Sequence, residues 1–173
     1  MAGNKYLAVD ATSGLPKEIV ANQTSAGAGD AGKLPALNAS GVLDSTLLPP
    51  GIGLASQVFP TSEALTAGAL VNIFLVSTVP TARNANATDA TKAAIGFVLA
   101  GTTSPANATV YFPGQIVTGV TGLTVGAPVF LSTTSGAVTS TPPAATGNLM
   151  QQVGWALSAT SFVFQPAPGI VRA

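Results

Sequence analysis

Apolar and polar positions along the chain follow two regimes that meet near residue 53. Before that point Gly14, Pro16, Gly27, Gly29, Gly32, Pro35, Gly41, Pro49 and Pro50 interrupt every periodic stretch, and no window carries an apolar stripe long enough for a stable helix. The pattern predicts an extended N-terminal arm over residues 1–53, with room for one short helical turn around Ser45 to Leu48. Within this arm Leu34, Leu37, Val42, Leu43, Leu47 and Leu48 have no local core to enter and are expected to bury against another chain.

From Leu54 onward the pattern becomes short strands separated by turns. Val71, Ile73 and Leu75 alternate with Asn72, Phe74 and Val76, a period of two with apolar residues on both faces, which predicts a strand lying between two layers. Ala94 to Ala100 and Ala108 to Phe112 continue the pattern. Pro128 to Ser132 and Gly136 to Thr139 flank a short Thr-Thr-Ser loop and predict a hairpin; Met150 to Leu157 and Ser161 to Gln165 predict a second. In the latter, simple alternation turns Val153, Trp155 and Leu157 to one face and Gly154 and Ala156 to the other, and places Trp155 in the core. Thr61 to Leu70 could be a helix capped by Ser62, but Gly68 favours a turn between strands. Seven or eight strands at this spacing predict an all-β chain: the arm, then an antiparallel β-barrel or β-sandwich domain over residues 54–173.

Composition sharpens this picture. Leu, Ile, Val and Phe supply 46 of 173 residues, enough for a folded core that needs neither metal nor disulfide. Lys and Arg number 6, Asp and Glu 6, and the net charge is zero, so nucleic acid is not an expected partner. Seven of these 12 charges fall in the first 50 residues, whereas the 79 residues from Ala93 to Val171 hold none. A stretch that long without an ionised group has weak colloidal protection, which points to a surface covered by copies of itself or by a partner. Met1 to Asp10 has no apolar run of signal-peptide length, and nothing approaches the ~18 apolar residues of a membrane span, so neither a leader nor a membrane partner is expected.

The side chains that carry most enzyme chemistry are missing, for the chain has no His and no Cys. Gly27, Gly29 and Gly32 match a GxGxxG string, but Pro35 and Gly41 follow where the phosphate-binding helix should begin. Lys92 lies in a polar loop without the SxxK spacing of a Ser/Lys pair, and the acids at 10, 18, 30, 44, 63 and 89 share no motif. Zinc and iron sites lose their usual ligands, and no Asp-rich calcium loop is present. The expectation is a non-enzyme with no cofactor, no metal and no catalytic residue. The triplets at Asn22, Asn38, Asn86 and Asn107 follow from composition alone.

Two stretches resemble virion structural proteins of tailed bacteriophages. Ala31 to Gly53 (AGKLPALNASGVLDSTLLPPGIG) is similar, at Gly32, Lys33, Leu34, Leu37, Ser40, Gly41, Asp44, Leu47, Leu48 and Pro49, to segments placed ahead of trimeric domains in phage fibre and head-decoration proteins. Gly122 to Thr139 and Val153 to Phe164 resemble the paired hairpins of a β-barrel module from the same virion proteins. The resemblance implies a homotrimeric decoration or cement protein on the outer surface of the capsid. Its arm would grip the major capsid protein through Leu34, Leu37, Val42, Leu43, Leu47 and Leu48. The alternative it leaves open is a short tail-fibre or baseplate-attached protein that recognises host glycans.

Overall fold

Strands and turns account for all the regular structure in the computed structural model, which describes residues 4–48 and 54–173; the only helical pieces are three-residue 3-10 turns. The chain divides into two units, Met1–Gly53 and Leu54–Ala173.

The first unit departs from the plain extended arm expected of it. β1 (Lys5–Val9) and β2 (Pro16–Val20) form an antiparallel hairpin, with Lys5 opposite Val20 and Val9 opposite Pro16. Asp10 closes its loop: one carboxylate oxygen accepts the amides of Thr12 and Ser13, at 2.9 and 3.0 Å. Ion pairs of Lys5 with Glu18 and Lys17 with Asp10 span the two strands. The alternation in Lys-Tyr-Leu-Ala-Val carries the strand signal; its turn depends on an Asp-based loop rather than on a two-residue hairpin motif. The leucine segment is likewise bent. Asn38 Oδ1 accepts the amides of Ser40 and Val42, and the carboxylate of Asp44 accepts the Thr46 amide at the head of the 3-10 turn Ser45–Leu47, where a short helical turn is expected. Asn22 bridges to Pro35, and the Ser25 amide donates to Thr46 Oγ1, so residues 22–25 run beside the leucine segment. Pro49, the last matching position of the resemblance, lies outside the described residues.

The second unit contains twelve strands, more than the seven or eight expected, because Gly and Pro cut several into pieces of two or three residues. Five of them make one antiparallel sheet in the order β3 (Ser56–Pro60), β7 (Asn107–Tyr111), β6 (Gly96–Val98), β4 (Leu70–Val76), β5 (Val79–Asn84). The sheet curls into a half-barrel, and Thr61, just past β3, bridges to Ala82 of β5. A second five-stranded sheet runs β10 (Val138–Thr139), β9 (Pro128–Leu131), β12 (Gln152–Ser158), β13 (Ser161–Phe164), β8 (Ile116–Thr118). Here β9–β10 and β12–β13 are the two hairpins read from the sequence. β11 (Leu149–Met150) pairs with β14 (Ile170–Val171). Thr61 to Leu70 contains no helix.

Two cores explain the layering. One fills the half-barrel with Phe59, Leu65, Val71, Ala82, Val98 and Val110. The other joins Leu70 and Phe97 from the back of that sheet to Val129, Leu131, Val153, Phe162 and Phe164 from the second. Leu70 and Val71 are consecutive yet both 0% exposed, so the first half of β4 lies between two layers as its pattern predicts. Gly96 lets β6 fit against β7, since a Cβ there would lie 2.5 Å from Val110 Cγ1 and 2.9 Å from the Tyr111 carbonyl oxygen. The buried Gln151 amide acts as a third peptide group, accepting the Ala94 amide at 2.8 Å and donating to the carbonyls of Ala94 and Ala167. Among the described residues, every buried side-chain polar atom finds a partner.

Candidate functional site

The first unit has no interior. None of its described residues is buried, and Leu34, Leu37, Val42 and Leu43 are exposed, Leu37 at 57%. Leu47 and Leu48 are half-buried behind the Asp44-capped turn. The bend at Asn38 brings Leu34 and Leu37 to a cleft of about 730 Å³ whose opposite wall includes Tyr6 of β1 and Ala21. Val42, Leu43, Leu47 and Leu48 are not part of that cleft. Four apolar side chains that the arm reading passed over, Leu7, Val9, Leu15 and Val20, are also exposed on or beside the hairpin. Leu7, Val9 and Val20 share one face of it, which the alternation Lys5-Tyr6-Leu7-Ala8-Val9 would have disclosed.

Trp155 is the clearest departure from the sequence reading. It is not core but 47% exposed. The cause is a β-bulge: Gln152 faces Phe130 and Gly154 faces Val129, so Val153 is an extra residue on β12. Val153 and Gly154 therefore both turn inward, the alternation slips by one, and Trp155 and Leu157 emerge on the outer face while Ala156 is buried. Across the sheet Trp155 lies in a row with Pro128, Val163 and Ile116. A third exposed apolar group, Leu75, Val76 and Val79, forms the tip of the β4–β5 hairpin.

Four of the acids, Asp10, Asp30, Asp44 and Asp89, serve local turns. Lys33 and the Ala26 amide both bind the carboxylate of Asp30 and hold it down at about 2, so the acid inside the GAGDAG segment is held by its immediate neighbours. The Thr46 hydroxyl and amide lower Asp44, and those of Thr91 lower Asp89, which caps the 3-10 turn Ala90–Lys92. Lys92, the one lysine considered as a base, closes that turn. Among the described residues no three acids cluster as metal ligands, and no helix is long and apolar enough to cross a membrane. The exposed apolar groups include the bent leucine segment, Leu7, Val9 and Val20 beside the Lys5–Glu18 pair on the hairpin face, the Trp155 row and the β4–β5 tip.

No protein-family model matches the chain, and no curated protein matches its sequence.

Proposed function

We propose that the chain is a structural protein of a tailed-phage virion, a non-enzymatic homotrimer that binds the outside of the capsid and stabilises it. The observation that carries this reading is the first unit: 45 described residues with polar turns in place and no buried residue. A hairpin and a bent loop of that size are marginal in water by themselves. They gain stability when Leu34, Leu37, Val42 and Leu43, with Leu47 and Leu48 behind them, are covered by a partner. The resemblance of Ala31 to Gly53 to phage decoration segments supports the major capsid protein as that partner. The mechanism is area and mass action: contacts of roughly 1,600 Å² repeated around a trimer tie neighbouring capsomers together without chemistry or cofactor.

Co-sedimentation of the full-length chain with expanded, undecorated phage capsids tests this. Wild type is expected to saturate at a stoichiometry related to capsid symmetry, and the double variant Leu37→Asp, Val42→Asp to bind at least about tenfold more weakly. Wild type that ignores capsids overturns the shell reading; a double variant that binds like wild type overturns the arm mechanism. A second reading, a tail-fibre or baseplate protein that binds host glycans, is favoured by one observation, the exposed Trp155. Glycan-array binding abolished by Trp155→Ala would put it first.

A further inference from the structure

We infer that copies of this chain meet one another through the outer face of the β10-β9-β12-β13-β8 sheet, with Trp155 at its centre. This deepens the self-assembly part of the proposed function and rests on it. β12 is the middle strand of five, and the chain's single tryptophan stands on it, 47% exposed. Its cross-strand neighbours on that face are Pro128, Val163 and Ile116, with Leu157 two residues along β12. Gln152, Ser161 and Thr118 border the row on the same strands, and Ser161 is paired with Thr118. An aromatic anchor amid aliphatic contacts with an uncharged polar border is the anatomy of an interface centre.

Charge selects the occupant. All five strands lie within the 79 residues that contain no ionised side chain, so a partner bringing Lys or Glu onto the face would bury a charge with nothing to pair it. The same face of a second copy brings strands with no ionised side chain. A sugar would find hydrogen-bond partners only at the border, in Gln152, Ser161 and Thr118, and none in the central row of Pro128, Val163 and Ile116. The area is sufficient for a weak contact. Strands of 2, 4, 7, 4 and 3 residues at ~3.3 Å per residue and ~4.8 Å spacing outline roughly 320 Å², and two faces stacked as sheets cover about 630 Å². That lies below the roughly 1,000 Å² of a stable specific interface and in the range of transient contacts, so assembly through this face is weak and concentration-dependent.

Because Trp155 is unique, its emission reports this face alone. The experiment is a dilution series of the full-length chain followed by sedimentation velocity and tryptophan fluorescence together. As the chain assembles, the emission is expected to shift to the blue. Ile116→Asp, an exposed edge-strand position, is expected to weaken assembly at least about tenfold while the dilute chain unfolds like wild type. Leu75→Asp, on the exposed β4–β5 tip, is expected to leave assembly unchanged. A chain that stays monomeric, an assembled chain whose emission matches the dilute one, a dilute monomer already blue-shifted, or Ile116→Asp assembling like wild type each overturns the inference. Should Ile116→Asp unfold, Trp155→Ser replaces it, judged by sedimentation alone with the same criterion. Assembly through another face leaves the capsid reading standing; assembly through this face with no capsid binding removes only the capsid reading.

Discussion

Gly154 shows how one residue redirects a surface. Its backbone, at φ 158°, passes so close to β13 that a Cβ would lie 1.9 Å from the Val163 carbonyl oxygen and 2.9 Å from Phe162 Cδ2. The first obstacle is backbone and cannot rotate away. Gly154→Ala therefore forces β12 and β13 apart and is expected to cost about 3 kcal/mol or more, read as a lower urea midpoint at unchanged slope. A second prediction at this scale concerns acid. Asp30 is lowered from 3.8 to about 2, chiefly by Lys33, and Asp10, Asp44 and Asp89 are lowered by the hydroxyls and amides of their own turns and, for Asp10, by Lys17. Each favours the folded state as a carboxylate. Their stabilisation is complete above about pH 5 and is lost as the pH falls through 3.8 towards about 2. Thermal unfolding is expected to be level with respect to these groups above about pH 5 and to decline below about pH 4, less steeply in Asp30→Asn.

Elements divide into halves that behave differently. β4 is buried on both faces at Leu70 and Val71, but β6 pairs with it only there, and further along the strand Leu75 is 66% exposed. Arg83 holds the middle of the hairpin, stacking 4.2 Å over Phe74 while donating to Asn72 Oδ1 and the Thr91 carbonyl. Leu70→Ala is thus expected to cost about 3 kcal/mol and Leu75→Ala less than about 1 kcal/mol, measured by chemical denaturation. The sequence signal for β4 was a strong alternation, yet alternation alone cannot say where the neighbouring layer stops. The β9–β10 and β12–β13 hairpins and the Ser45 turn were legible because their determinants are local: short loops, a period of two, and an Asp ahead of Ser-Thr. The β1–β2 hairpin escaped because its loop is built on Asp10 side-chain bonds, and the partner of β11 was hidden because β14 lies some twenty residues away.

At the scale of the whole molecule, charge lies in the first unit and, in the second, at Glu63, Arg83, Asp89, Lys92 and Arg172, while the strands of the second sheet hold none. Self-association through that sheet is expected to hold constant or strengthen between low and high salt, and to strengthen with sulfate, because there are no ion pairs to screen. Sedimentation at two ionic strengths checks this; weakening by added salt would place the contact among the charged turns instead.

By itself the sequence determined the class: an all-β chain without helices beyond single turns, with a Gly- and Pro-broken first segment, no charge from Ala93 to Val171, and apolar side chains in residues 34–48 that have no core of their own. Those properties follow from composition, period and turn chemistry, which act over a few residues. Only tertiary structure decided which apolar residues face outward. The bulge at Val153–Gly154 is defined by its pairing with β9, and that pairing moves Trp155 from the expected core to the centre of an open sheet. A period of two fixes faces relative to one another, whereas a one-residue slip reverses them, and slips are set by the partner strand.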